Sequence, residues 1–124
     1  MKKIFVYGTL LKGLERNTAL ASSKYLGPAL IKARLFDLGS YPGIAEGDDD
    51  VVGEIYEVNE QTLNNLDAIE GYRESAPQSS LYLRKPIVAR KLADGADVDV
   101  ETYFYSCPNE KTIKGQDYRA FRLE

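Results

Sequence analysis

The chain has 124 residues, 44% of them hydrophobic and 28% charged, a balance that suits one compact globular domain, expected to run over residues 1–124. With 16 basic against 19 acidic side chains, the composition argues against a broad electrostatic grip on nucleic-acid phosphates. The absence of histidine removes the Ser-His-Asp and Cys-His arrangements and the usual catalytic zinc sites, so proton transfer falls to Asp, Glu, Lys, Tyr or Cys107.

Met1-Lys2-Lys3 is basic, but the apolar run behind it ends at Gly8. That run is too short for the core of an export signal or for a membrane span, and a chain neither exported nor membrane-anchored is expected. Apolar runs bounded by Gly, Pro, Asn and Asp predict strands at 3–7, 30–38, 51–58, 81–92 and 98–106, enough for a curled sheet in an α+β unit. Pro86 demotes part of the fourth to an edge or a bulge. In the fifth, alternation sets Val98, Val100, Thr102 and Phe104 on one face, with Asp99, Glu101, Tyr103 and Tyr105 on the other.

Two helical segments are predicted, at 14–21 and at 60–70; Asn59 caps the second, Leu63, Leu66 and Ile69 recur along it, and Gly71 ends it. The acidic run at 46–50 reads as an exposed turn, because Val52 and Asn59 stand where a calcium loop needs oxygen ligands and a bidentate Glu. The pairs Arg84/Lys85 and Arg90/Lys91 read as the solvated face of a strand. Cys107, followed by Pro108, has no imidazole to activate it; it reads as a structural thiol and fits a reducing cytoplasm. The tail from Pro108 is polar, with isolated Ile113, Tyr118 and Phe121, and is expected to lie across the surface.

Two features stand apart. The stretch FVYGTLLKG at 5–13 breaks a buried strand at Gly8, which either allows a tight turn or gathers backbone N–H groups around an anion. Gly8 and Gly13 match the frame of a nucleotide P-loop, but Leu14 and Glu15 stand where Lys and Ser or Thr must meet phosphate and magnesium. The second feature is Glu70, a carboxylate in the last helical turn, beside exposed carbonyls that favour a cation. It is either a solvated glutamate on a frayed helix end or, facing a pocket, a proton carrier with its pKa drawn toward neutrality.

Taken in order, FVYGTLLKG, Asn17, Tyr41-Pro42 and GEIYEVNEQTLNNLDAIEGY at 53–72 closely resemble the γ-glutamylcyclotransferase-like family, particularly its γ-glutamylamine cyclotransferase branch. The likeness continues through Tyr103-Phe104-Tyr105 to Gly115-Gln116-Asp117-Tyr118-Arg119, and so covers most of the chain.

The resemblance implies a small, mainly antiparallel β-barrel flanked by short helices, with a pocket between the first turn and the glutamate helix. It implies no cofactor and no metal. It implies a small γ-glutamyl substrate, an amine or an amino acid derivative, whose α-amine attacks its own γ-carbonyl to give 5-oxoproline and a free amine. Well-oriented intramolecular reactions reach effective molarities of about 10⁵ to 10⁸ M, so such a site chiefly holds a reactive conformer and moves protons. Glu70 is then the acid/base, the N–H groups of Gly8, Thr9 and Leu10 anchor the substrate carboxylate or developing charge, and Tyr7 and Tyr105 supply phenolic hydroxyls to the wall. Asn17 holds the loop closed or caps a local helix. The alternative is a binding module that holds a small carboxylate or amino acid without turnover. The sequence leaves the oligomeric state open.

Overall fold

The computed structural model describes residues 1–38, 42–73, 75, 80, 82–105 and 117–119; the sequence readings at Tyr41, at Cys107 and across most of the tail lie outside them. The elements are strands β1 (Lys2–Val6), β2 (Lys24–Asp37) and β3 (Pro42–Val58), helix α1 (Glu60–Glu70), and strands β4 (Tyr82–Lys91) and β5 (Asp97–Tyr105). The strands close a barrel in the order β1-β3-β2-β4-β5. Every pairing is antiparallel except that of β1 with β5, which run parallel with Ile4 opposite Glu101. The Thr102 hydroxyl, fully buried, reinforces this seam by donating to the Phe5 carbonyl at 2.8 Å.

The expected strands at 30–38 and 51–58 are each much longer, because the acidic run between them is not a turn. Residues 46–50 lie within β3, with Lys32 opposite Asp50 and Ala33 opposite Asp49, after which the register jumps to Arg34 opposite Ala45. Residues 46–48 therefore form a bulge, which takes up surplus polar residues at the surface while pairing resumes beyond them. Pro86 sits opposite Glu101 in an unbroken β4, whose pairing with β2 is confined to Ala29/Lys91 and Leu30/Arg90 at its other end. Its missing N–H thus falls on an edge.

Two apolar layers result from the alternation. Phe5, Ile31, Leu35, Val51, Ile55, Val100 and Phe104 fill the barrel, and Tyr118 is buried with them, which corrects the expectation that this part of the tail lies on the surface. Ile4, Val6, Tyr56, Val58 and Tyr103 point outward from the wall and meet Leu63 and Leu66 of α1. Both faces of β5 are therefore buried where α1 covers it. The same cover explains a second correction: Arg84, read as solvated, has a side chain only 10% exposed and is paired with Asp67 and Glu101. Arg90, on the same strand, is exposed as expected.

Helix α1 has the bounds its sequence signals predict. The Asn59 side chain accepts the Thr62 N–H at 2.8 Å, and Gly71 adopts a left-handed conformation (φ 68) from which its N–H reaches the Ala68 and Asp67 carbonyls. The weaker segment at 14–21 is a 3₁₀ turn, Asn17–Leu20, inside a loop of successive short turns. Its bonds close over three residues, as Asn17 N–H to Leu14 and Ala19 N–H to Arg16 show, and no side chain caps its start.

Leu66 is fully buried at the centre of the outer layer. Leu66→Ala is expected to lower unfolding free energy by about 2–5 kcal/mol in a denaturant titration, because deletion at a tight interface leaves a cavity as well as losing transfer energy.

Candidate active site

β1 stops at Val6, and the next two residues set up a cleft at the barrel mouth. Tyr7 continues the strand alternation and turns its ring into the barrel. Gly8 then opens a turn, its carbonyl accepting the Leu11 N–H at 3.0 Å. The glycine is required by close approach: a Cβ there would stand 2.7 Å from Pro42 Cγ at the start of β3. Among the described residues, the N–H groups of Gly8, Thr9 and Leu10 take no acceptor. Both sequence readings of Gly8 are thus compatible, since the tight turn is also what leaves these donors uncommitted.

The loop behind the turn is held at several points. Arg16 N–H returns to the Thr9 carbonyl at 3.0 Å. Asn17 Nδ2 donates to the Leu10 carbonyl at 2.8 Å and to the Tyr56 hydroxyl at 3.1 Å, so it closes the loop and leaves helix capping aside. Glu54, only 2% exposed, accepts the Lys12 N–H at 2.9 Å through Oε1 and Arg119 Nη1 at 2.9 Å through Oε2. Arg119 also donates to the Lys12 carbonyl at 2.8 Å. These bonds join the loop, β3 and the described end of the tail.

Facing the turn is Glu70. The cleft between them is open to solvent and is also lined by Arg16, Pro42, Tyr82 and Tyr103. The residue as a whole is half-buried, but its carboxyl lines the cleft, where loss of water pushes its pKa up to about 7 against a smaller opposing pull from Arg16. Burial does this work; the carbonyls at the helix end, which the sequence singled out, are engaged by the Gly71 and Tyr72 N–H groups.

Three phenols stand around this carboxyl, each giving its proton away. Tyr7 donates to the Tyr103 carbonyl, Tyr82 to the Pro42 carbonyl and Tyr103 to Asp67 Oδ1, all at 2.6 Å. Burial raises the pKa of Tyr7, with the neighbouring Tyr82 and Glu70 adding to it; burial and the bond to Asp67 raise that of Tyr103. Both stay protonated at neutral pH. Asp67 also receives Arg84 Nε at 3.1 Å and Nη2 at 3.3 Å, and Arg84 Nη1 goes on to Glu101, which pairs with Lys2 at 3.0 Å.

Of the residues singled out in the sequence, Tyr7, Gly8, Thr9, Leu10 and Glu70 meet in this cleft. Asn17 stands behind the loop, and the Tyr105 ring packs edge-on against Tyr82 and Phe36, at 5.2 and 6.0 Å between centroids. Sequence reading missed Arg16, Tyr82 and Tyr103 as cleft residues. Arg16 falls in the segment predicted as a helix, which the structure makes a series of short turns. Alternation had placed Tyr103 on the outward face of its strand, and only the packing of α1 makes that face interior. Among the described residues no group of three or more Asp, Glu or Cys side chains is arranged to hold a metal ion.

The family model described as "Gamma-glutamyl cyclotransferase, AIG2-like" matches residues 4–120. A Vibrio cholerae protein provisionally named a γ-glutamylcyclotransferase is 48% identical over 69 residues, covering 54% of this chain and 60% of that protein, so the match spans less than two thirds of the relative's length. Rattus norvegicus γ-glutamylaminecyclotransferase is 30% identical over 119 residues, covering 86% of this chain and 78% of the rat protein. Among solved structures, an uncharacterised protein of Pyrococcus horikoshii superposes with a TM-score of 0.74 at 25% identity, over 99% of this chain and 94% of that one. With that match over nearly its whole length, on a closed barrel whose first turn faces the end of the glutamate helix, the chain belongs to the γ-glutamyl cyclotransferase, AIG2-like family.

Proposed function

We propose that this protein converts a γ-glutamyl amine or γ-glutamyl amino acid to 5-oxoproline and the free amine, with Glu70 as the proton carrier. The observation that carries this reading is that Glu70, its carboxyl pushed by burial up to about 7, lines the same cleft as the N–H groups of Gly8, Thr9 and Leu10, which take no acceptor among the described residues. A group that titrates near neutrality both accepts and returns a proton at little cost, which is what an acid/base needs. The name of the rat relative supports an amine as the group released.

In the proposed reaction the Glu70 carboxylate takes a proton from the substrate's α-ammonium. The freed nitrogen attacks the γ-carbonyl carbon, and the new C–N bond closes a five-membered lactam. Negative charge developing on the carbonyl oxygen, or the fixed charge of the α-carboxylate, is met by the N–H groups of the turn. The bond from the γ-carbon to the departing nitrogen then breaks. In all, two protons pass from the α-nitrogen to the departing one through Glu70, so the amine leaves as an ammonium and the carboxylate is restored.

Three outcomes are expected. Purified protein incubated with a panel of γ-glutamyl compounds releases 5-oxoproline, and Glu70→Gln lowers kcat by about 10²–10⁴-fold; equal turnover by the variant would refute the assignment. If no compound is turned over but glutamate or 5-oxoproline raises the melting temperature, the non-catalytic binding module is the correct reading. The wild-type kcat/KM falls about tenfold per pH unit below an inflection near 7, since the carboxylate form is the competent one.

The third outcome concerns stability. Because the carboxyl is raised from 4.5 to about 7, it is neutral in both folded and unfolded states at low pH, and the favourable effect of keeping it protonated is lost as pH rises through 7. Above that the fold carries a penalty on the order of 3 kcal/mol. Glu70→Gln therefore melts above wild type at pH 8, and the gap closes toward pH 4.5. A gap that does not vary with pH would show that Glu70 is not buried as a charge.

A further inference from the structure

The N–H groups of Gly8, Thr9 and Leu10 can serve the cleft only while the turn that carries them keeps its orientation. In a trans peptide the carbonyl of one residue and the N–H of the next point in opposite directions, so a partner that holds a carbonyl also aims the following N–H. The Gly8 carbonyl is held by the Leu11 N–H at 3.0 Å, the Thr9 carbonyl by the Arg16 N–H at 3.0 Å, and the Leu10 carbonyl by Asn17 Nδ2 at 2.8 Å. The first two bonds set the Thr9 and Leu10 N–H groups.

These three bonds are internal to the loop, which must also be anchored to the barrel if its donors are to face Glu70. Lys12 is the anchor. Its N–H goes to Glu54 Oε1 at 2.9 Å, its carbonyl accepts Arg119 Nη1 at 2.8 Å, and the same Nη1 donates to Glu54 Oε2 at 2.9 Å. One carboxylate and one guanidinium nitrogen thus hold both backbone groups of a single loop residue. Glu54 pairs with Val6, the last residue of β1, so the anchor is fixed to the strands from which the turn departs. The Glu54 side chain is 3% exposed, and Arg119 is its only ionic partner among the described residues. A carboxylate so enclosed is tolerated while its partners replace the lost water. Deprived of Arg119 it is drawn toward solvent, which takes Oε1 off the Lys12 N–H. Tyr56 carries the disturbance further: its hydroxyl stands 3.5 Å from Glu54 Oε1 and accepts Asn17 Nδ2, which in turn holds the Leu10 carbonyl.

We infer that Glu54 and Arg119 are positioning residues: together they clamp Lys12 and so preorganise the N–H donors of Gly8, Thr9 and Leu10 in front of Glu70. Neither side chain lines the cleft. This role rests on the cyclisation reading for the reaction in which those donors act. It makes the donating side of the cleft depend on a residue 107 positions from the loop residue it holds.

The test follows 5-oxoproline release from γ-glutamyl-alanine and Nε-(γ-glutamyl)-lysine at a series of pH values on either side of neutrality, with melting curves on every variant. Arg119→Met and Glu54→Gln are each expected to lower kcat/KM about tenfold or more, because misaligned donors no longer meet the charge they serve. The inflection near 7 stays in place, since Glu70 is untouched. Arg119→Lys keeps a cationic donor and is expected to retain about a third or more of the wild-type value. The double variant Glu54→Gln/Arg119→Met is expected to fall no more than about threefold below the worse single variant, as members of one network do not act independently. A folded Arg119→Met within about twofold of wild type, losses that multiply in the double variant, or an inflection displaced with the loss of activity would overturn the positioning role and leave the cyclisation reading standing. If Arg119→Met does not fold, hydrogen exchange at the wild-type Lys12 N–H decides: saturating 5-oxoproline is expected to slow it several-fold, because occupancy of the donors and closure of the clamp are linked, and unchanged exchange would overturn the role. If wild type turns over neither compound, the cyclisation reading fails and the clamp is judged by calorimetric titration with 5-oxoproline. Binding about tenfold weaker in Arg119→Met then supports it, whereas equal binding, or none to wild type, overturns it.

Discussion

The 2.6 Å hydrogen bond from Tyr103 to Asp67 ties the end of helix α1 to the barrel wall, and the position of Glu70 follows from it. Asp67 and Glu70 are three residues apart in a helix, so they share a face. Fixing the first against β5 turns the second toward the barrel mouth. The backbone of the same tyrosine receives the Tyr7 hydroxyl, so one residue links the helix to the end of β1 and to the turn that follows. A barrel alone would leave this turn facing open solvent; a helix alone would leave its last carboxylate in water.

The two carboxylates of this face have opposite surroundings. Asp67 is ringed by donors from Tyr103 and Arg84, in a network that runs on through Glu101 to Lys2. Among the described residues Glu70 has enclosure without comparable donors, and burial raises its affinity for a proton. Charged groups are tolerated inside proteins when hydrogen bonds replace lost water, and they become neutral when nothing does. Within one helical turn, the chain thus separates a carboxylate that organises structure from one whose ionisation is poised near neutrality.

The loop between β1 and β2 is held by a different logic. It has little regular structure, and its shape comes from side chains reaching its backbone: Asn17 at Leu10, Glu54 at Lys12 and Arg119 at Lys12. Glu54 is almost wholly buried and satisfied by partners from two directions, and it fixes the loop's backbone beside the buried Leu10, Leu11 and Leu20. The loop's contribution to the cleft depends on residues from β3 and from beyond residue 116 as much as on its own sequence.

What could be read locally was read from signals that act over a few residues. Asn59, the spacing of Leu63 and Leu66, and Gly71 specify where α1 begins and ends, and hence that a glutamate closes it. The break at Gly8 similarly marked the turn, and motif order tied the two together. The extents of β2 and β3 were not legible, because a bulge and a turn use the same polar residues and only cross-strand pairing separates them. Arg84 and Tyr103 were misjudged for a related reason: strand alternation says which side a residue points to, but not whether a helix will cover that side. The direction in which each phenol gives its proton lies further still from sequence, since Tyr7 and Tyr103 are 96 positions apart and their bond exists only once the barrel closes. Local propensity thus determined the elements and their ends, while burial, proton direction and the raised pKa of Glu70 were decided by tertiary packing, because each depends on which distant groups displace water.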